Sequence, residues 1–233
     1  MLGIRQAVIS VILGCVAAWA WGLKPYGQAL CEEPGYSCHK VKYKQTWESL
    51  FPDKQQREVV QALNRTNMAL HYQKMIAVPN QLEGMTMMDI APFDHQIAPP
   101  GEKVVVVNLK ELAFGAYSSE GKLVHWGPVS GGKNWCPDTN SACHTVTGDF
   151  RVYAKRGKYC VSNKFPIEVI GGGAPMPYCM FFHGGYALHA STTVPGYNAS
   201  HGCVRMFYKD ARWLSKYFVS HGAQGTRVII NNS

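Results

Sequence analysis

The stretch NASHGCVRM at positions 198–206 places a serine, a histidine and a cysteine within four residues. Side chains of these types suit three kinds of chemistry: attack by a thiolate, metal ligation, or disulfide bonding. A thiol attacks as a thiolate, and because the pKa of a free cysteine is about 8.5, it needs a base or a cation nearby. The chemistry of Cys203 therefore depends on the groups that the fold brings to it.

The choice of base follows from the geometry of extended chains. In a strand the side chains of His201 and Cys203 run parallel, about 6.5 Å apart, which is a poor arrangement for a hydrogen bond to sulfur. His189 ends an apolar run, and a loop over 190–200 returns the chain, so that its imidazole can face the thiol from a neighbouring strand. We predict Cys203 as nucleophile and His189 as base, with His183 structural.

The residues around the thiol have supporting roles in this hypothesis. Without a side chain at Gly202, the main-chain N–H groups of Gly202 and Cys203 can approach a substrate oxygen as an oxyanion hole. Ser200 and His201 either assist that oxyanion or order the loop. In a rival hypothesis, His189, His201 and Cys203 are three ligands of a catalytic zinc ion. No carboxylate or spaced histidine companion supports it, so we predict neither a metal nor a cofactor.

The cysteine count bears on whether Cys203 is free. The chain has 8 cysteines; Cys15 falls in a predicted signal segment, and the remaining number is odd, so one thiol is left over in an oxidising compartment. Pairing neighbours leaves Cys203 free and predicts three disulfides: Cys31–Cys38, Cys136–Cys143 and Cys160–Cys179. The alternative that Cys203 pairs and another cysteine is free stays open.

Short strands must position these residues. Apolar or alternating runs predict strands at 104–107, 112–117, 123–126, 150–154, 178–182, 186–189 and 226–231. One helix is predicted over 210–221, with Gly222 as its stop signal. Many short strands with one helix after the cysteine motif indicate a mainly β domain, either a sandwich or a barrel.

His189 followed by Ser200-His201-Gly202-Cys203-Val204-Arg205 resembles the signature of the YkuD-type L,D-transpeptidases, cysteine enzymes that cross-link peptidoglycan. The resemblance covers about residues 103–232 and extends to three further segments: SGG at 130–132, TVTGDF at 145–150 and GGYALH at 184–189. Val146 and Ala190 replace the usual Pro and Gly, and the loop from histidine to cysteine is shorter than in many members. These departures concern loop conformation and the substrate entrance more than the chemistry.

The resemblance implies a two-step acyl transfer on peptidoglycan stem peptides. Cys203 attacks the carbonyl at the L-centre of diaminopimelate and expels D-Ala, and an amine of a second stem then resolves the thioester. Water as acceptor would give an L,D-carboxypeptidase, and a protein amine would attach a protein to the wall. Among candidate substrate-binding residues, Arg205 holds a carboxylate or supports the loop, while Tyr186 and Tyr178 line the entrance or pack in the core. A main-chain carbonyl or small side chain near position 190 or 191 is expected to orient the imidazole.

The N-terminal part is predicted in four segments before the catalytic domain at 102–233. Segment 1–20 reads as a secretion signal, since its apolar run is shorter than the roughly 20 residues of a membrane span and ends in Ala-Trp-Ala. This predicts a secreted, periplasmic or wall-associated protein with no transmembrane span in the mature chain. A lipobox-like Ile-Leu-Gly-Cys also leaves open a lipid anchor at Cys15.

Next follow a cysteine-bearing lead-in at 21–40, a compact α+β unit at 41–82 and a linker at 83–101. The unit resembles a degenerate LysM module, which would bring glycan strands as a partner; a helical spacer packed on the main domain is the alternative. A protein that only binds peptidoglycan through it is the rival outside the enzyme class. The net charge of +8 suits an anionic partner, but the basic residues are dispersed, so nucleic acid is not predicted.

Overall fold

The structure is a computed structural model that describes residues 24–233. It contains eleven strands: β1 (Tyr36–Lys40), β2 (Met75–Pro79), β3 (Val104–Asn108), β4 (Ala113–Tyr117), β5 (Leu123–Ser130), β6 (Gly148–Arg151), β7 (Ala154–Lys155), β8 (Met180–His183), β9 (Tyr186–Ala190), β10 (Val204–Met206) and β11 (Arg227–Asn231). Four α-helices accompany them: α1 (Tyr26–Leu30), α2 (Trp47–Leu50), α3 (Lys54–Leu63) and α4 (Tyr208–Trp213). The prediction of a mainly β protein is confirmed.

Nine strands form one curled sheet in the order β6-β11-β3-β4-β5-β10-β9-β8-β7. Strands β6 and β7 lie at opposite ends of this order, yet only residues 152 and 153 separate them in the chain. The sheet must therefore bend until its two ends meet. Val152 donates to the carbonyl of Thr226 and Tyr153 to that of Phe181, so consecutive residues bond to the two halves of the sheet.

The main core lies inside this curl. It consists of apolar side chains from both halves of the sheet, including Val105, Phe114, Met180, Leu188 and Met206, together with Leu214 behind α4. Alternation along the strands directs these side chains inward. The strands on either side of the reactive cysteine are therefore fixed by burial on a packed core.

The predicted single helix is shorter than expected. α4 ends at Trp213, and residues Leu214–Phe218 continue as a π-helical turn in which Val219 donates to the carbonyl of Leu214. The ammonium group of Lys155 donates to the carbonyls of Ser215 and Val219, at 2.7 Å each. This contact satisfies carbonyls at the helix end, and the chain turns away before reaching His221.

The N-terminal unit contains the antiparallel pair β1–β2 with α2 and α3 between the two strands in sequence. Asp53 caps α3 by accepting from the N–H of Gln56 at 2.8 Å, the contact that the spacing of these two residues predicts. Buried Trp47, Val60 and Ile76 form the small core of the unit. Strand β1 lies inside the segment expected to be only a lead-in.

The segment at 83–101 packs against the main domain. Met87, Met88 and Phe93 lie against a cluster of buried residues around Trp126, whose indole N–H donates to the carbonyl of Met87. The methionine cluster thus serves packing. The predicted signal at 1–20, including Cys15, lies outside the described residues. Within residues 24–233, no helix has the length and apolar character that a bilayer span requires.

Candidate active site

Strands β9 and β10 run parallel and carry the two predicted catalytic residues. Their register sets Leu188 opposite Val204 and His189 opposite Arg205, and Cys203 immediately precedes β10. Because side chains alternate along a strand, His189, Cys203 and Arg205 share one face of the sheet. All three line one cavity of about 890 Å³.

Cys203 is a free thiol. The six other cysteines in the described part of the chain form the three disulfides predicted from neighbour pairing, Cys31–Cys38, Cys136–Cys143 and Cys160–Cys179. The sulfur of Cys203 lies 3.7 Å from the carbonyl oxygen of Gly185. Burial raises the pKa of the Cys203 thiol, while a main-chain hydrogen bond from Ala187 and the charge of Arg205 oppose the rise.

His189 is buried, with 5% of its surface exposed. Its Nδ1 lies 2.8 Å from the carbonyl oxygen of Ala190, which can only accept, so Nδ1 carries the proton and Nε2 is the basic nitrogen. The pKa of His189 is lowered to about 4, chiefly by burial; the hydrogen bond to Ala190 opposes this shift and the charge of Arg205 adds to it. The ring is therefore neutral near pH 7 and able to take a proton.

Ser200 and Gly202 shape the turn before the thiol. The Ser200 hydroxyl accepts from the N–H of Gly202 at 3.0 Å and donates to the carbonyl of Cys203. Gly202 has a φ of 117°, and a Cβ there would lie 2.6 Å from the ring of Tyr186. Ser200 thus orders the loop, and the N–H of Gly202 is already engaged. Of the two expected oxyanion donors, this leaves the N–H of Cys203.

Thr145 supports the turn from the opposite side. Its buried hydroxyl donates to the carbonyl of Gly202 at 2.7 Å and accepts from the N–H of Gly132 at 2.8 Å. Asn198 adds a second link, since its side chain accepts from the N–H of Gly131. The segments at 130–132 and 145–150, singled out in the sequence by resemblance alone, therefore act as supports of the cysteine loop.

His201 is held by groups other than the thiol. Its Nε2 lies 2.6 Å from Oδ2 of Asp138, and its ring lies 4.6 Å from that of Phe165, between centroids. Within the described residues, the donor atoms of Asp138, His201 and Cys136 lie close enough to share a metal ion, but the sulfur of Cys136 is in a disulfide. That cluster does not contain His189 or Cys203, so the hypothetical three-ligand zinc site is not assembled.

The remaining candidates divide between the cavity and the core. Arg205 and Tyr186 line the cavity, and the guanidinium of Arg205 lies 3.4 Å from the carbonyl of Thr193. Tyr178 is instead buried in the main core and does not line the cavity. Tyr208, which stands in no motif, lines the cavity wall, and its hydroxyl donates to that of Tyr178 at 3.4 Å. Of the two roles considered for Tyr178, its position corresponds to packing in the core.

The geometry of the site defines a class of protein. A curled sheet presents a free thiol and a buried, neutral imidazole on one wall of an open cavity. This pair of groups is typical of cysteine acyltransferases and hydrolases. The family model of the YkuD L,D-transpeptidase catalytic domain matches residues 102–230. The chain belongs to the L,D-transpeptidase family and is a transpeptidase.

A solved structure shares the fold. An L,D-transpeptidase from Xylanimonas cellulosilytica is similar at 24% identity, with 74% of this chain and 77% of that chain covered and a TM-score of 0.53. L,D-transpeptidases from Mycobacterium tuberculosis and Enterococcus faecium match at 21% identity and a TM-score of 0.44; 56% and 55% of this chain are covered, and 57% and 49% of those chains. No curated protein sequence matches the chain.

Proposed function

We propose that this transpeptidase is exported and remodels peptidoglycan through a thioester on Cys203. The observation that carries the proposal is the pairing of the free thiol with His189 on one cavity wall, in a chain whose other described cysteines are all in disulfides. Each half of the arrangement is needed, because a thiol whose pKa is raised by burial requires a base to reach its reactive form.

In the first step, Nε2 of His189 accepts the thiol proton as sulfur attacks the carbonyl carbon at the L-centre of diaminopimelate. The carbon–nitrogen bond to D-Ala breaks, and the imidazolium returns the proton to the leaving amine. The thioester remains on Cys203. The N–H of Cys203 is our candidate donor to the developing oxyanion, since Ser200 occupies that of Gly202.

In the second step an amine of another stem attacks the thioester carbon. The new amide bond forms as the carbon–sulfur bond breaks, and the thiol is regenerated. Arg205 supplies a positive charge on the cavity wall, where a stem peptide would present carboxylates; burial lowers its pKa, but an arginine remains charged at neutral pH. Water in place of the amine would release a tripeptide, and an amine of a protein would attach that protein to the wall.

Muropeptide analysis distinguishes these acceptors. Purified wild-type protein is incubated with peptidoglycan, and the digested products are separated and sequenced by mass spectrometry. We expect new cross-links between two diaminopimelates, absent with Cys203→Ala. Tripeptides alone would indicate carboxypeptidation, and products that persist with Cys203→Ala would contradict the proposal.

Acylation by a carbapenem tests the nucleophile independently of the natural acceptor. A thiolate that attacks the stem carbonyl should also open the strained lactam ring and hold the drug as a thioester. Intact mass spectrometry should show one adduct on wild type and none on Cys203→Ala. An adduct on the alanine variant would place the reactive group elsewhere.

Export is proposed from the N-terminal segment at 1–20 and is supported by the three disulfides, which persist in oxidising compartments. The site of action is then the periplasm or the wall. Sequencing the N-terminus of protein recovered from expressing cells tests it. We expect a start just after residue 20; a lipid-modified start at Cys15 would indicate an anchor, and an intact Met1 would contradict export.

We further propose that the N-terminal unit contacts glycan strands. Its strand, helix, helix, strand order with an antiparallel strand pair is the arrangement expected of a LysM-like module. The measurement is co-sedimentation of full-length Cys203→Ala with peptidoglycan from which stem peptides have been removed by amidase. Retention of binding supports the proposal, and loss of binding with the peptides would assign recognition to the cavity alone.

A further inference from the structure

The loop that joins the predicted base to the predicted nucleophile is held by the N-terminal unit. This loop runs over 191–200, between β9 and the cysteine motif. Thr66 forms an antiparallel bridge with Pro195, and the N–H of Tyr26 donates to the carbonyl of Gly196 at 2.8 Å. The unit therefore lies directly against the loop.

Asn67 makes the central contacts. Its side-chain NH₂ donates to the carbonyl of Ser191 at 2.7 Å, and its side-chain carbonyl accepts from the N–H of Val194 at 2.9 Å. Its own main-chain N–H donates to the carbonyl of Val194 at 3.2 Å. Three hydrogen bonds from one residue thus fix both ends of the segment at 191–194.

Those bonds lie next to the group that orients the imidazole. The carbonyl of Ala190 and the N–H of Ser191 belong to one peptide plane: the carbonyl accepts from Nδ1 of His189, and the N–H donates to Met206 of β10 at 2.9 Å. The following peptide plane, joined at the Cα of Ser191, carries the carbonyl that Asn67 holds. The two planes share the Cα of Ser191, so Asn67 holds the main chain immediately after the acceptor that sets the ring of His189.

The support behind Asn67 is itself rigid. The Asn64 amide bonds to both the N–H and the carbonyl of Ala77 on β2, at 2.8 and 2.7 Å. Arg65 is buried, donates to the carbonyl of Glu111 in the main domain at 2.9 Å, and stacks on Trp126. Segment 64–67 is consequently anchored in both parts of the molecule, which an adjustable surface loop would not be.

We propose that Asn67 is a positioning residue for His189, and that the N-terminal unit thereby forms part of the support of the active site. The proposal rests on the proposed function in one respect, since it takes His189 as the base for Cys203. Asn67 does not line the cavity and forms no hydrogen bond with the thiol or the ring; its link to the imidazole runs through the main chain at Ser191. Geometry at a reacting pair is sensitive to such support, since a displacement of about 1 Å can cost on the order of a hundredfold in rate.

The test measures the reaction of Cys203 with iodoacetamide across a range of pH, with the alkylated site mapped by mass spectrometry. Full-length wild type is compared with Asn67→Ala, Asn67→Asp and His189→Ala. Asn80→Ala is the matched control, because Asn80 is an exposed asparagine of the same unit. Thermal unfolding of each variant shows that it is folded.

We expect Asn67→Ala to lower the alkylation rate near neutral pH about tenfold and to move its pH profile toward that of His189→Ala. Asn67→Asp should behave similarly, because a carboxylate cannot donate to the Ser191 carbonyl, and it serves alone if the alanine variant does not fold. Asn80→Ala should match wild type. If folded Asn67 variants kept the wild-type alkylation rate and pH profile while His189→Ala reacted more slowly, the role of Asn67 would be refuted. The proposed function would be unaffected. A wild-type profile in His189→Ala would instead contradict the proposed base.

Discussion

Arg205 on β10 lies directly opposite His189 on β9 in the parallel ladder. Burial and this neighbouring charge keep the pKa of His189 at about 4, while burial raises the pKa of Cys203. Near pH 7 the two groups therefore rest as a neutral thiol and a neutral imidazole. In the proposed mechanism, attack by sulfur then requires proton transfer to His189 in the same step, because no thiolate is formed beforehand.

The first prediction concerns the acid limit of acylation. Because His189 must be neutral to act as base, the rate of carbapenem acylation of wild type should fall only as pH drops through about 4. Arg205→Met removes a charge that lowers this pKa, so its acid limit should move to higher pH. The rates are followed by intact mass spectrometry, and a wild-type limit near the ordinary histidine value of about 6.5 would contradict the assignment.

The second prediction concerns stability in acid. In the folded protein His189 binds a proton only below about pH 4, whereas the unfolded chain binds it below about 6.5, so stability is lost as pH falls between these values. The shift corresponds to about 3 kcal/mol in the free energy of unfolding. Urea unfolding at several pH values should show that the free energy of unfolding of His189→Gln falls less than that of wild type as pH is lowered. The same change at exposed His221 is the control, and an unchanged slope in His189→Gln would refute the link.

The third prediction concerns the turn before the thiol. Gly202→Ala combines a φ of 117° with a Cβ at 2.6 Å from the ring of Tyr186. We expect a loss of about 1–3 kcal/mol in stability and a lower acylation rate, since the thiol is displaced. Gly157→Ala is the control, because a Cβ at Gly157 meets no atom within 4 Å. Thermal unfolding and carbapenem acylation report the two effects; a normal rate in Gly202→Ala would show that the turn need not be left-handed.

The fourth prediction concerns the support behind this turn. Thr145→Val keeps the shape of the side chain but removes the hydroxyl that joins Gly132 to Gly202. Two buried main-chain groups lose a partner, so we expect a loss of about 1–3 kcal/mol and slower acylation. Thr145→Ser retains the hydroxyl and should recover most of both. Equal behaviour of the valine and serine variants would indicate that the hydroxyl is not needed.

Local patterns predicted much of the molecule. The strand at Val104–Asn108 follows from an unbroken apolar run, and the β4–β5 hairpin from the turn signal that ends in Gly121, whose φ is 82°. The disulfides followed from counting cysteines and pairing neighbours. The placement of His189 and Cys203 on one face required only strand alternation and a returning loop.

Contacts between distant segments could not be predicted in this way. Asp138 contacts His201 across 63 positions and Asn67 contacts Ser191 across 124, and neither Asp138 nor Asn67 stands in a motif. Polar residues of these types are common in loops, so composition alone does not single them out. Tyr178 is a related case, because an aromatic residue of a predicted strand does not reveal in the sequence whether its side chain lines a cavity or, as here, packs in the core.

The position of β11 has a consequence for how the domain assembles. This last strand lies between β6 and β3, parallel to β3, so the sheet is incomplete until residues 227–231 are present. Val104–Asn108 pairs with β4 on one edge, but its other edge lacks a partner until a segment more than a hundred residues later is made, and such long-range pairing is slow. A chain that crosses a membrane from its N-terminus would therefore arrive with its catalytic sheet unfinished. If the chain is exported as proposed, folding would finish only after release of the C-terminus, and the thiol would then meet its base only in the final compartment.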